Sequence, residues 1–446
     1  MNHVRKVFKG SMAALAVSCA VATPTAWGQT LEQAVAQTLD SSPELRQAFN
    51  AFKATEEQIT QARSGYLPTV DLTAGYGWEQ TNSPATRAAG DGDVELDRGE
   101  AGISIRQILF NGFQTTSEVG RTRMEAGSEF WSLLASAEDK ALDVVKVYLG
   151  YLQAKEVVSL SEKNLESHQE IYDQIKQKTE FGLGSTADLS QISGRLARAK
   201  SNLVSARNNL MDTRSQYIRT VNSQPEDMII PVPDADMLPA SLDDALALAR
   251  KNNPVVKASG KDIEAAQYQR ESAESNYYPE VSLELNGNWN NDIGGTGGHN
   301  NDLQAMVRVR YNLFNGGRDT ARERETAYRV GEARELNHRT MRDITEGTTL
   351  AWNARTNLLE QLGYIKEHVI ASKETQSAYN QQFRLGQRTL LDLLDAENEL
   401  FEARKDYIAS EFDELTAQYR ILNATGQLLS SLRVETPEAW QSDNEY

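Results

Sequence analysis

Cysteine is almost missing from this 446-residue chain: the only one is Cys19. It falls in an N-terminal stretch that reads as a secretory signal. Arg5, Lys6 and Lys9 make the basic start, Met12 to Ala22 the apolar stretch, and Ala26-Trp27-Gly28 the small residues of a cleavage site before Gln29. Ala16-Val17-Ser18 lacks the leucine usual before a lipid-anchor cysteine. Loss of residues 1–28 would leave neither disulfide nor thiol chemistry. Long apolar runs are missing too: nothing after the signal reaches the ~18 residues a membrane helix needs. Basic residues are also scarce. Without the three in the signal, 43 face 63 acidic side chains, a net charge of −20. Phosphate binding needs Lys and Arg, so nucleic acid is excluded as a partner. The histidines beyond the signal, His168, His299, His338 and His368, are scattered, with no pair at metal-ligand spacing. No Gly-x-Ser-x-Gly elbow occurs, and no Lys-Ser/Thr follows the glycine run 294–298. These gaps exclude the common hydrolase, nucleotide and metal sites, so no enzyme, cofactor or resident metal is expected.

The chain does have an internal repeat. From Leu31 it matches itself from Leu242 at an offset of 211: Pro43 with Pro254, Tyr66 with Tyr277, Pro68 with Pro279, Trp78 with Trp289. The offset then becomes 204, where Arg106, Phe110, Asn111 and Gly112 match Arg310, Phe314, Asn315 and Gly316. Phe181-Gly-Leu-Gly184 and Phe383-Arg-Leu-Gly386 suggest a further shortening to 202. Pro225, Pro231, Pro233 and Pro239 mark a linker over 223–241. The expected organisation is a signal (1–28), a first repeat (29–222), the linker, a second repeat (242–433) and a disordered tail (434–446).

Each repeat reads helix, strand, strand, long helix, helix. Val70, Leu72, Ala74, Tyr76 and Trp78 alternate with Asp71, Thr73, Gly75, Gly77 and Glu79. Similar alternation predicts strands near 68–80, 100–110, 279–290 and 302–313, with Met306 out of pattern. A half-buried soluble sheet has the same period. Charged polar faces and terminal aromatics instead favour strands with lipid outside and water inside, with Trp78, Trp289 and Tyr311 at membrane interfaces. The polar stretches 80–100 and 290–302 read as long outer loops. Spans 113–181 and 317–384 run without proline, each roughly 100 Å as helix. Leu142, Val145, Leu149 and Leu152 have coiled-coil spacing.

Four strands cannot stand alone in lipid, because open edges leave backbone groups unpaired. Other copies must supply strands. Two copies give eight strands with a nearly filled interior; three give twelve with room for a lumen. The fold class is therefore a mixed α+β membrane protein, a strand contribution to a shared β-barrel continued by long helices.

At this point the chain resembles the TolC family of outer-membrane channels. The lead-in Gly65-Tyr-Leu-Pro68, the exits Leu109-Phe-Asn-Gly112 and Leu313-Phe-Asn-Gly316, and the helical turns carry the likeness. Its most specific segment is Phe383 to Phe401, closest to type I secretion channels, including exporters of large adhesins. The resemblance implies a homotrimer in outer-membrane lipid, with a twelve-stranded β-barrel and a periplasmic α-helical barrel. It further implies a passive duct for protein cargo, working with a periplasmic adaptor and an inner-membrane ABC transporter. The competing reading is the outer component of a small-molecule efflux pump, with an RND pump as partner. A soluble periplasmic coiled-coil scaffold is the rival from another class.

Matched residue by residue, Asp392 and Asp395 fall on the family's acidic entrance positions, a possible cation ring in a trimer. Arg388 falls on its gate arginine and Asp188 on that arginine's acidic partner. Phe383 replaces the family's gate tyrosine, so that hydroxyl is lost. The residues also admit a plainer reading. Ser185-Thr-Ala-Asp188 and Thr389-Leu-Leu-Asp392 both fit a capping box. Asp395 and Arg388 fit solvated helix surface, and the tryptophans fit core positions.

Overall fold

The structure, a computed structural model, describes residues 29–440. The expected signal, Cys19 and residues 441–446 lie outside the described residues. The first copy holds α1 (Leu31–Ser41), α2 (Pro43–Arg63), β1 (Thr69–Thr81), α3 (Pro84–Ala88), β2 (Val94–Asn111), α4 (Gln114–Glu180) and α5 (Thr186–Val221). The second holds α6 (Leu242–Asn252), α7 (Pro254–Glu274), β3 (Glu280–Ile293), β4 (Thr296–Arg310), α8 (Arg318–Arg384) and α9 (Leu390–Ala424). A single turn, α10 (Leu428–Ser431), follows. Among the described residues, no helix is long and apolar enough to cross a membrane.

The four strands form one antiparallel sheet in the order β1-β2-β3-β4. Register turns the alternation into two continuous faces. Leu72 stands opposite Ile103, Ile103 opposite Gly287, and Gly287 opposite Leu303. One row away, Val70, Ile105, Leu285 and Ala305 align. The other face carries Asp71, Ser104, Asn286 and Gln304 in one row. Ion pairs cross the polar face, Arg308 to Glu284 at 2.8 Å and Arg98 to Glu79 at 2.9 Å. Met306 interrupts this face. The apolar face is open in the single chain: Leu72 is 79 % and Leu303 84 % exposed. Such a contiguous apolar surface needs lipid or protein against it. Among the described residues, the outer edges of β1 and β4 have no partner strand.

β1 has the expected length, β4 ends at Arg310 rather than near 313, and β2 and β4 begin earlier than the alternation predicts, so the loops are shorter. β2 starts at Val94 and β4 at Thr296. The glycine run is no long loop. Gly294 and Gly295, at φ 66° and 75°, form a two-residue turn, and their polar neighbours pair as strand. A polar run outside the membrane keeps the backbone ladder but loses the hydrophobic alternation.

α4 and α8 each run 67 residues, about 100 Å. Each enters through two consecutive left-handed residues, Gly112-Phe113 and Gly316-Gly317. Phe113 takes that conformation against Phe110 and Tyr278, with ring centroids 5.4 and 6.1 Å away. The helix ends correct the repeat register. Glu180 and Arg384 close α4 and α8, Gly182 and Gly386 take the left-handed position after them, and Ser185 and Thr389 cap α5 and α9. Every one of these pairs is 204 apart. The expected shortening to 202 aligned like letters; the chain aligns the glycines that can turn.

The main core is a belt partway along the long helices. It gathers Leu31, Phe52, Leu133, Tyr148, Tyr217, Tyr419 and Leu428. Leu142, Val145, Leu149 and Leu152 are all buried in it. The Tyr148 hydroxyl lies 2.7 Å from the Gln29 carbonyl oxygen and accepts the Ile229 N–H at 3.2 Å, tying the linker to α4. Trp440 is also buried here, so the expected tail does not begin at 434.

Glu138 sits in this belt, where its carboxylate accepts the backbone N–H groups of Leu428 (3.0 Å) and Leu429 (3.4 Å). Burial pushes its pKa up to about 7, Asp139 adds to the rise, and the two N–H groups oppose it. A raised carboxyl pKa means stability present below the unfolded value of about 4.5 and lost as pH climbs through 7. The loss is of order 3 kcal/mol. Glu138→Gln is therefore expected to flatten the fall in thermal unfolding temperature between pH 5 and pH 8. An unchanged slope would assign that fall to other groups.

Candidate periplasmic gate

Two helical hairpins, α4–α5 and α8–α9, reach their tips at residues 181–185 and 385–389. Each tip closes with bonds back to the helix end: Leu183 N–H to Lys178 O and Gln387 N–H to Gln382 O, both 2.9 Å. Just behind the tips is a small apolar cluster. Ile171 and Ile175 of α4, Ile192 of α5, and Leu390, Leu393 and Leu394 of α9 form it. Phe383 packs on its side, with the Lys178 ammonium 5.1 Å from its ring centre. A hydrocarbon ring fits this contact, so Phe383 joins the hairpins by packing and cation–π attraction.

The structure separates the four charged candidates. Asp392 is part of a reciprocal capping box: Thr389 Oγ1 accepts its N–H at 3.3 Å, and its carboxylate accepts the Thr389 N–H at 3.3 Å. The plainer expectation for Asp392 thus holds, and its carboxylate stays half-exposed at the tip. Asp188 does not match it. Ser185 accepts the N–H of Ala187, not of Asp188, so the expected first capping box is incomplete. Arg388 lies over the Tyr379 ring at 4.2 Å, donates to Gln382 at 2.9 Å, and stands 3.8 Å from Asp392. Among the described residues, no ion pair or hydrogen bond joins Arg388 to Asp188 within one chain.

Asp395 has a partner that was not anticipated. Arg195 of α5 donates to its Oδ1 at 2.7 Å and links the tips of the two hairpins. A faint signal exists: Arg195 follows Asp188 by seven residues, two turns along the same helix face. Its acceptor, 200 positions away, leaves no local trace.

At the other end, Trp78 and Trp289 are more than half exposed at one rim of the apolar band. Each stands eight residues beyond the valine that starts the band, Val70 or Val281, about 27 Å along its strand. Tyr311, just past β4, stands at the opposite rim with Phe110, Phe113, Tyr278 and Phe314. Phe110 lies at the end of β2, and the strand alternation does not reach Phe113, Tyr278 and Phe314, which sit in the turns. Among the described residues, no group of His, Cys, Asp and Glu within one chain could hold a metal ion.

The family model described as outer membrane efflux protein matches residues 34–220 and 245–427. The outer membrane efflux protein BepC of Brucella suis is 26% identical over 90% of this chain and 86% of its own. The outer membrane protein TolC of Vibrio cholerae is 24% identical over 93% and 95%. The alkaline protease secretion protein AprF of Pseudomonas aeruginosa is 20% identical over 87% and 83%. Among solved structures, the outer membrane protein VceC of Vibrio cholerae superimposes with a TM-score of 0.76 at 16% identity, over 89% of this chain and 96% of VceC. The CmeC outer membrane channel of Campylobacter jejuni gives 0.77 at 15%, over 89% and 86%.

Proposed function

Since the chain belongs to the outer membrane efflux protein family, whose members are passive channels and not enzymes, we propose that it is the exit duct of a type I protein secretion system. One observation carries the duct: a sheet with one continuous apolar face, one charged face and two unpaired edges. Edge groups left open in hydrocarbon cost several kcal/mol each, so further copies must close the sheet. Three copies give twelve strands and leave a lumen lined by the charged face. The long helices carry that lumen into the periplasm, where a periplasmic adaptor and an inner-membrane ABC transporter would meet the tips.

Two observations support protein as cargo: the segment Phe383–Phe401, and a relative named for alkaline protease secretion. Large adhesins are the proposed class. The second reading is small-molecule efflux, favoured by relatives named as efflux proteins. Deletion separates the two. Loss of surface adhesin with unchanged drug sensitivity is expected, and the reverse pattern would sink the secretion reading.

The tips act as the gate in this reading. In a trimer, Asp392 and Asp395 of each copy would surround a narrow axis and attract cations. We expect Asp392→Asn with Asp395→Asn to weaken block of single channels by divalent cations at least tenfold; asparagine spares the helix start. Equal block in the double variant would remove both residues from the entrance.

A further inference from the structure

The outer end of the sheet holds a contact that neither the barrel nor the gate requires. Beyond Asn291 the β2–β3 pairing stops, and Asp292 takes a left-handed conformation, φ 55°. The β3–β4 hairpin then bends toward the charged face. Its tip crosses β2 and reaches Glu79 of β1, two strands away. Gly294 and Gly295 donate their N–H groups to Glu79 Oε1 at 2.7 and 3.2 Å. The Thr81 hydroxyl donates to the same oxygen at 2.6 Å, and Arg98 holds Oε2 at 2.9 Å. Arg98 also binds Glu100 at 2.7 Å. Glu79 is thus an anion cradled by a guanidinium, a hydroxyl and two backbone amides. The seat is shaped as well as charged: a Cβ on Gly295 would stand 2.6 Å from Thr86 Cγ2 and 3.2 Å from Thr81 Cβ. Thr86 is itself buried, on α3.

We propose that the β3–β4 tip is a flap, latched by Glu79 over the lumen face of β2, that narrows the outer mouth of the duct and limits the size of what passes it. The proposal rests on the reading that the charged face lines the lumen. In a trimer, three flaps would lean in from the rim. The latch is a small number of charge-assisted hydrogen bonds to a short hairpin, so it can release without unpairing the β3–β4 ladder below.

The test labels the lumen from outside, where the periplasmic gate has no influence. Ser104→Cys places a thiol on the charged face of β2, below the flap. Intact cells are treated with a small maleimide and with a polymer-linked maleimide. Glu79→Ala breaks the latch from β1 and Gly295→Ala from the β3–β4 turn, and assembled trimer on gels confirms folding of each. Expected is unchanged labelling by the small reagent and a rise of about tenfold for the large one, the scale on which losing a charge-assisted hydrogen bond shifts a two-state equilibrium. Equal rates for the large reagent with and without the latch overturn the flap while leaving the duct intact. Ser104→Cys inert to the small reagent in every background overturns the lumen assignment, and the flap with it.

Discussion

Arg195→Ala is expected to raise the open probability of reconstituted channels about tenfold. Arg195 and Asp395 join α5 to α9, and so one hairpin to the other, at 2.7 Å. Both side chains are partly exposed, Asp395 more than half, so each pair contributes only about 0.5 kcal/mol. A threefold assembly repeats the pair three times. If the tips open together, the contributions add to roughly 1.5 kcal/mol, a factor of about ten in the open-to-closed ratio. Asp395→Asn should give the same change, and the swap Arg195→Asp with Asp395→Arg should restore closure. Arg207→Ala is the control. Arg207 pairs with Glu162 at 2.8 Å, but that pair links α5 to α4 within one hairpin. Single-channel recording decides the matter: if Arg207→Ala opens the channel as much as Arg195→Ala, general loosening of the tips is the cause. The latch is also screened by salt, so the gap between wild type and Arg195→Ala should shrink at 1 M salt, where the Debye length is about 3 Å.

The Arg195 contact shows where sequence patterns stop being informative. Period-2 alternation made both sheet faces legible, because lipid and water impose opposite demands on successive residues. Where the strands leave the membrane that demand ends. The β4 residues 296–301 are then Thr, Gly, Gly, His, Asn and Asn, and they read as loop. Long helices were legible from the absence of proline, and their ends agreed to within a few residues. The repeat register at the tips is misread from Phe-x-Leu-Gly because it matches as letters, whereas the fold needs a glycine two places beyond the helix end. The capping role of Asp392 was readable, since a capping box is local. The partners of Asp395 and Glu138 were not: the first bond spans 200 residues and the second 290. Trp440 was assigned to a tail because a few residues after the last helix carry no periodicity, yet one tryptophan suffices to dock them.

The repeat itself supplies the last experiment. Gly112 and Gly316 occupy equivalent places where a strand turns into a long helix, with φ of 65° and 73°. Their backbone strain on substitution is therefore nearly the same, about 1 kcal/mol for alanine in the left-handed region. Their surroundings differ. A Cβ on Gly112 would stand 2.5 Å from the Ser275 carbonyl oxygen and 2.8 Å from Tyr278 Cβ, while one on Gly316 meets nothing within 4 Å. The Ser275 oxygen belongs to backbone and cannot swing aside, so overpacking adds about 1–3 kcal/mol at Gly112 alone. In a threefold assembly that penalty falls on every copy. Gly112→Ala is expected to remove most of the heat-resistant oligomer from outer-membrane fractions, and Gly316→Ala to leave most of it. Equal losses would mean that the left-handed turn, and not the contact between the two copies of the repeat at Ser275, limits assembly. The predicted asymmetry follows from packing at the joint between the strands and the helical tube: there the first copy of the repeat leans on the backbone of the second, while among the described residues nothing stands within 4 Å of a Cβ on Gly316.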